Sequence, residues 1–77
     1  MIMVSKEERI KLKIISVLRL HKEGLTIKDL SVLVSAHRQT VAKYVLVLEA
    51  EGVIYRREVG SATLHYLKKF FGGKING

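Results

Sequence analysis

The chain has 77 residues, 14 Lys and Arg against 7 Asp and Glu for a net charge of +7, and no cysteine. That length sets a single small domain, because a chain of this size buries only about 60% of its unfolded surface and gains from dimerisation or very regular helical packing. Without cysteine there are no disulfides, thiolate metal sites or cysteine nucleophiles, and His21, His37 and His65 lie too far apart for ligand spacing, so neither a metal nor a cofactor is expected.

Ser5-Lys6-Glu7-Glu8 reads as a capping box that starts a first helix. Ile10, Ile14, Val17 and Leu18 then recur on one helical face, with Ile15 widening it, while Lys6, Arg9, Leu12 and Lys13 lie elsewhere. Gly24 supplies a left-handed position, so the helix is expected to stop near Lys22 or Glu23. Leu25 is a connector suited to a single β-bridge. Thr26 caps a short second helix, with Asp29 as its acidic partner three residues on and Ile27, Leu30, Leu33 and Val34 as its apolar stripe. Ser35 and Ala36 interrupt that pattern. A third helix is expected from His37 or Arg38 to Glu51, burying Val41, Val45 and Leu48 with Tyr44 beside them, and closed by Gly52. Its other face carries Arg38, Gln39, Ala42, Lys43 and Leu46.

Beyond Gly52 the pattern becomes β-prone from Val53 to Val59 and again from Ala62 to Leu67, with Gly60-Ser61 suited to a two-residue type II′ turn. That register sets Tyr55 opposite Tyr66 and Arg57 opposite Leu64; a looser turn would shift it by one and swap the faces. Lys68 to Phe71 read as a last turn of helix or strand. Residues 1–71 are taken as the folded domain and 72–77 as a frayed tail.

In this order, Thr26-x-x-Asp29-Leu30, Thr40-Val41, Leu48-Glu49 and Glu51-Gly52-Val53-Ile54-Tyr55-Arg56-Arg57 resemble the winged helix-turn-helix DNA-binding proteins, of the small archaeal and bacterial transcription-regulator kind. The resemblance covers roughly residues 5–67. It implies an α+β, mainly α fold: three helices followed by a β-hairpin wing. Two positions depart from the usual pattern. Ser35 stands where the turn usually has Gly, and His37 where the third helix usually has a Ser or Thr cap. A looser turn, a later helix start or a cap from Ser35 would each follow from these.

Charge placement points the same way independently. The excess of positive charge favours a polyanion, nucleic acid before an acidic membrane surface, although a lysine-rich surface can also be mere solvation. From Leu30 to Leu48 there is no acidic residue, and Glu49 and Glu51 sit together at the far end of the third helix. In winged helices the N-terminal part of that helix enters the major groove. The resemblance therefore implies Arg38, Gln39, Thr40 and Lys43 as DNA contacts, with Arg38 and Gln39 toward bases and Thr40 and Lys43 toward phosphates; His37, which departs from the family's cap, is read either as a further contact near a phosphate or as a partly exposed histidine without a role. Arg56 and Arg57 add the wing, although neighbours on a strand face opposite ways and only one of them can meet the duplex directly.

Double-stranded DNA is thus the expected partner and sequence-specific regulation, most simply repression, the expected function. The alternatives are a non-specific architectural DNA-binding protein and a winged-helix protein-interaction module, the latter leaning on Leu46 and Val47. An enzyme is not expected, for there are no paired carboxylates, no histidine–nucleophile pair and no Gly-rich phosphate loop. Nor is a second domain for a small-molecule effector expected. Met1 to Val4 and Phe70-Phe71 are apolar ends without an evident home, which with the first helix suggest a symmetric homodimer. No apolar run approaches the ~20 residues that span a bilayer, and Met1 to Val4 is too short for a signal-peptide core, so a cytoplasmic, nucleoid-associated location is expected. Gln39 and Asn76 are the only amide side chains, a composition that suits a thermophile.

Overall fold

Ser5 and Thr26 each cap a helix with a hydroxyl, but only Thr26 closes the full capping box; at Ser5 the expected return bond to the Glu8 carboxylate is not made. The computed structural model describes residues 5–69. In it the Ser5 hydroxyl accepts from the Glu8 amide at 3.1 Å and opens α1, Lys6–Leu20. The Thr26 hydroxyl accepts from the Asp29 amide at 3.1 Å, the Asp29 carboxylate accepts from the Thr26 amide at 3.4 Å, and α2 follows as Ile27–Val34. Two amides that a helix start would leave orphaned are thereby satisfied. The third helix, α3, is Arg38–Ala50, and the hairpin is β1, Ile54–Val59, with β2, Ala62–Leu67.

Two sequence expectations need correction here. First, α1 stops at Leu20, short of Lys22, with His21 as its cap donating its amide to Leu18 O. Gly24, with φ +93°, serves the turn beyond, where its amide donates to His21 O at 3.1 Å. A Cβ at Gly24 would lie 2.6 Å from Cε2 of Tyr66, so the hairpin packs against bare backbone there. Second, Leu33 is half exposed rather than part of the buried stripe. The short α2 packs against α1, α3 and β2 and buries Leu30 and Val34, and Leu33 lies about 100° away from Val34 around the axis.

The turn between α2 and α3 is made without glycine. Ser35 takes the left-handed conformation, φ 57° and ψ 51°, and closes α2 as its C-cap. The Ala36 amide donates to Ser31 O at 3.0 Å. His37 holds the extended cap position of α3 but makes no side-chain capping bond. The turn is therefore tight despite its serine, and Ser35 closes α2 instead of capping α3.

The hairpin register matches the sequence expectation, with Tyr55 opposite Tyr66 and Arg57 opposite Leu64. Gly60 has φ +63° while Ser61 does not have positive φ, as a type II′ turn requires. Ile54, Leu67 and His65 lie on the face turned toward the helices and are buried. Leu25 bridges to His65 through two backbone bonds, Leu25 N–H to His65 O at 3.1 Å and His65 N–H to Leu25 O at 2.8 Å. The hairpin is thus bonded to the connector between α1 and α2 as well as packed on the core.

Ile14, Leu18, Leu30, Val41, Val45 and Leu48 are fully buried and form the centre, where α1, α2 and α3 meet. Ile54 and Leu67 extend that centre into the hairpin, and Ile10, Ile15, Val17, Ile27 and Tyr44 pack around it. Met1 to Val4, Phe70-Phe71 and the tail 72–77 lie outside the described residues.

Leu48→Ala should lower unfolding stability by about 2–5 kcal/mol, because Leu48 is fully buried and the surroundings of a core deletion collapse only in part. An unchanged denaturant midpoint would remove Leu48 from the core. Ser35→Gly should raise stability by about 0.5–1 kcal/mol, since left-handed backbone costs an L-residue roughly 1–2 kcal/mol and glycine's own entropy offsets part of the relief. A fall in the midpoint would show that the serine side chain contributes more than its backbone strain removes.

Candidate nucleic-acid interface

The start of α3 is open. Its first turn has no acidic residue and no side-chain cap, so the amides there face solvent without a protein acceptor from the cap position. His37, Arg38 and Gln39 are exposed, Thr40 is half-buried, and Lys43 is exposed one turn further on. Lys43 Nζ lies 5.4 Å from the Tyr44 ring centre, a resting place from which a long ammonium side chain can swing out. Gln39, Thr40 and Lys43 fall within about 100° of one another around the α3 axis, whereas Arg38 lies toward the hairpin.

The two strand arginines part company. Arg56 pairs with His65 across the hairpin, on the face turned toward the helices; Arg57 pairs with Leu64 on the opposite face, alongside Tyr55 and Val59. Arg56 thus reaches the space between the hairpin and the helix starts, where an open cleft of about 710 Å³ is lined by Lys28, Arg38, Arg56, Thr63 and His65. Three cations from three separate elements converge on it. Arg57 is not brought to this cleft.

Lys28 is a residue that the sequence reading left out. It is exposed in the first turn of α2, right after the Thr26 cap, and that position beside a helix start is the signal that could have flagged it. His65 was given no role by its sequence context. It is 4% exposed, and its Nδ1–H donates to Leu25 O at 3.0 Å, the same oxygen that accepts from the His65 amide. A carbonyl can only accept, so the proton sits on Nδ1 and the ring is held rigidly at the cleft wall.

Three of the acids around this surface are already engaged, while Glu58, opposite Thr63 on the Arg56 face of the hairpin, is exposed and makes no ion pair among the described residues. Glu49 Oε2 lies 3.3 Å from Arg56 Nε, and Glu51 Oε2 lies 3.6 Å from Lys11 Nζ on α1. Asp29 is committed to the Thr26 amide. Among the described residues Lys28, Arg38 and Lys43 make no ion pair. The surface therefore offers uncompensated positive charge at Arg38 and Lys43 on α3 and at Lys28 on α2, with Arg56 on the hairpin side of the cleft paired to Glu49.

No helix among the described residues is long and apolar enough to cross a membrane. No protein-family model and no curated protein matches this sequence. Among solved structures the chain is similar to a MarR family transcriptional regulator from Silicibacter pomeroyi DSS, with a TM-score of 0.72 over 92% of this chain and 24% sequence identity. It spans 49% of that chain, about half its length. Three helices, a tight turn before the third and an antiparallel hairpin after it, superposable on that regulator, make this chain a winged helix-turn-helix with the hairpin as its wing.

Proposed function

We propose that the chain binds double-stranded DNA, reads sequence in the major groove with α3, and acts as a transcriptional regulator, most simply a repressor that covers a promoter. One observation carries this reading: the exposed start of α3 has neither acid nor cap, and its cations continue across the cleft to Lys28 and Arg56. The name of the similar structure, a transcriptional regulator, supports it. Arg38 and Gln39 are the base readers, since Arg matches guanine and Gln matches adenine in the major groove. Thr40, Lys43 and His37 hold backbone phosphates, which position the helix without reading sequence. Such a protein works in the cytoplasm, at the nucleoid.

A second reading, non-specific coating of DNA, draws on the net charge of +7 and on the uncharged wing tip at Gly60-Ser61. Mobility-shift titration against the DNA upstream of its own gene and against random duplex, at two salt concentrations, separates the two. Specific binding shows as a large affinity ratio that persists at the higher salt, whereas coating shows as equal affinities that fall together. Arg38→Ala should weaken the preferred site by about 1–3 kcal/mol and relax its preference, while Lys43→Ala should weaken all duplexes alike. If both variants bind as the wild type does, α3 is not the reader.

The working unit we propose is a symmetric homodimer through α1 and the chain ends. Leu12 and Leu20 support this, being 53% and 79% exposed on the outer side of α1. Two such copies would set their α3 helices about 34 Å apart, one turn of duplex. Sedimentation at high micromolar concentration should give twice the 8.7 kDa chain mass; a monomer there would refute the dimer.

A further inference from the structure

We propose that the cleft between the start of α2, the start of α3 and the wing seats one DNA backbone phosphate, and that Glu49 is the positioning residue that holds Arg56 in place for it. The inference rests on the DNA-binding reading above and adds Lys28 and Glu49 to it.

The cleft has the chemistry of an anion seat. Lys28, Arg38 and Arg56 reach it from α2, α3 and β1, and Thr63 adds a hydroxyl from β2. Its walls do not move independently, because the Leu25–His65 bonds tie β2 to the connector that leads into α2. Being open, it suits a phosphodiester on a continuous strand, which has to enter and leave along its length. Asp29 is the nearby acid on α2, and its carboxylate is occupied by the Thr26 amide.

Glu49 is placed to do something other than repel DNA. It lies on α3 with its side chain 23% exposed, beneath an Arg56 side chain that is 52% exposed. The contact runs through Nε, at 3.3 Å. An arginine has five donors in a planar fork, and a partner at Nε leaves the two terminal nitrogens of that fork for an outer acceptor. The carboxylate thus fixes a long, entropically costly side chain on the cleft side of the hairpin, so less ordering remains to be done when a phosphate arrives.

The sign of a charge-removing substitution tests this. On electrostatics alone, Glu49→Gln takes a negative charge away from DNA and should tighten binding. On positioning, it releases Arg56 and should weaken duplex binding, by about threefold at constant salt given the modest strength of partly exposed ion pairs. Arg56→Ala and Lys28→Ala should each reduce the slope of log affinity against log salt by about 0.9, the loss of one phosphate contact. In the Arg56→Ala background Glu49→Gln should no longer weaken binding. All variants are to be compared at matched folding, checked by thermal melts.

Tighter binding by Glu49→Gln, or an equal weakening with and without Arg56, overturns the positioning role. Unchanged salt slopes for Lys28→Ala and Arg56→Ala overturn the phosphate seat, and if Lys43→Ala, outside the cleft, still loses affinity the DNA-binding reading stands without it. A wild-type chain that binds no duplex even at low salt overturns both together.

Discussion

The surface that faces outward from this fold depends on how the hairpin is anchored. A two-stranded hairpin is marginal by itself in water, and this one is secured in two ways. Ile54 and Leu67 insert into the core shared by the three helices, while Leu25 and His65 exchange backbone bonds, reinforced by the His65 ring on the same carbonyl. The first is non-directional and sets depth; the second is directional and sets angle. Because Leu25 immediately precedes the Thr26 cap, the angle of the hairpin is referenced directly to the start of α2. Arg56 and Lys28 become neighbours across the cleft for that reason.

The far end of α3 shows the complementary economy of charge. Glu49 and Glu51 would leave an acidic end close to a cationic surface, yet each is matched by a cation from another element, Arg56 from the hairpin and Lys11 from α1. Partly exposed pairs of this kind add little to stability. Their larger effect is on the field, since local neutralisation leaves the positive potential concentrated at the opposite end of the helix, around Arg38. Ser35 belongs to the same design. By closing α2 in a left-handed conformation it turns the chain within three residues, and α3 begins with its first amides outward.

Much of this was legible in the residues because it is local. Caps at Ser5 and Thr26, the bridge residue Leu25, the three-helix order and the hairpin register through Gly60-Ser61 all follow from patterns only a few residues long. What was misread depended on distant neighbours. Gly24 looked like a helix terminator, but its lack of a side chain answers to Tyr66, 42 positions further on. Leu33 looked buried, but which side of α2 is covered depends on where α1, α3 and β2 settle. The candidate site divides the same way. The run from His37 to Lys43 was visible as a stretch without acids, and the separation of Arg56 from Arg57 followed from strand alternation. The company that Arg56 keeps was not visible, since Lys28, Arg38 and Glu49 reach it only through tertiary packing.

The Leu25–His65 linkage has a consequence for how binding and folding communicate. The groups lining the cleft come from α2, α3 and both strands, so no fragment of the chain can assemble it. A polyanion that engages the whole cleft recognises only the completed fold, and anything that binds the native state alone draws the folding equilibrium toward it. For a chain with so small a core, such a ligand would act as an external strut: it would span the junction between helices and hairpin, and rigidity there would become a property of the complex as much as of the polypeptide.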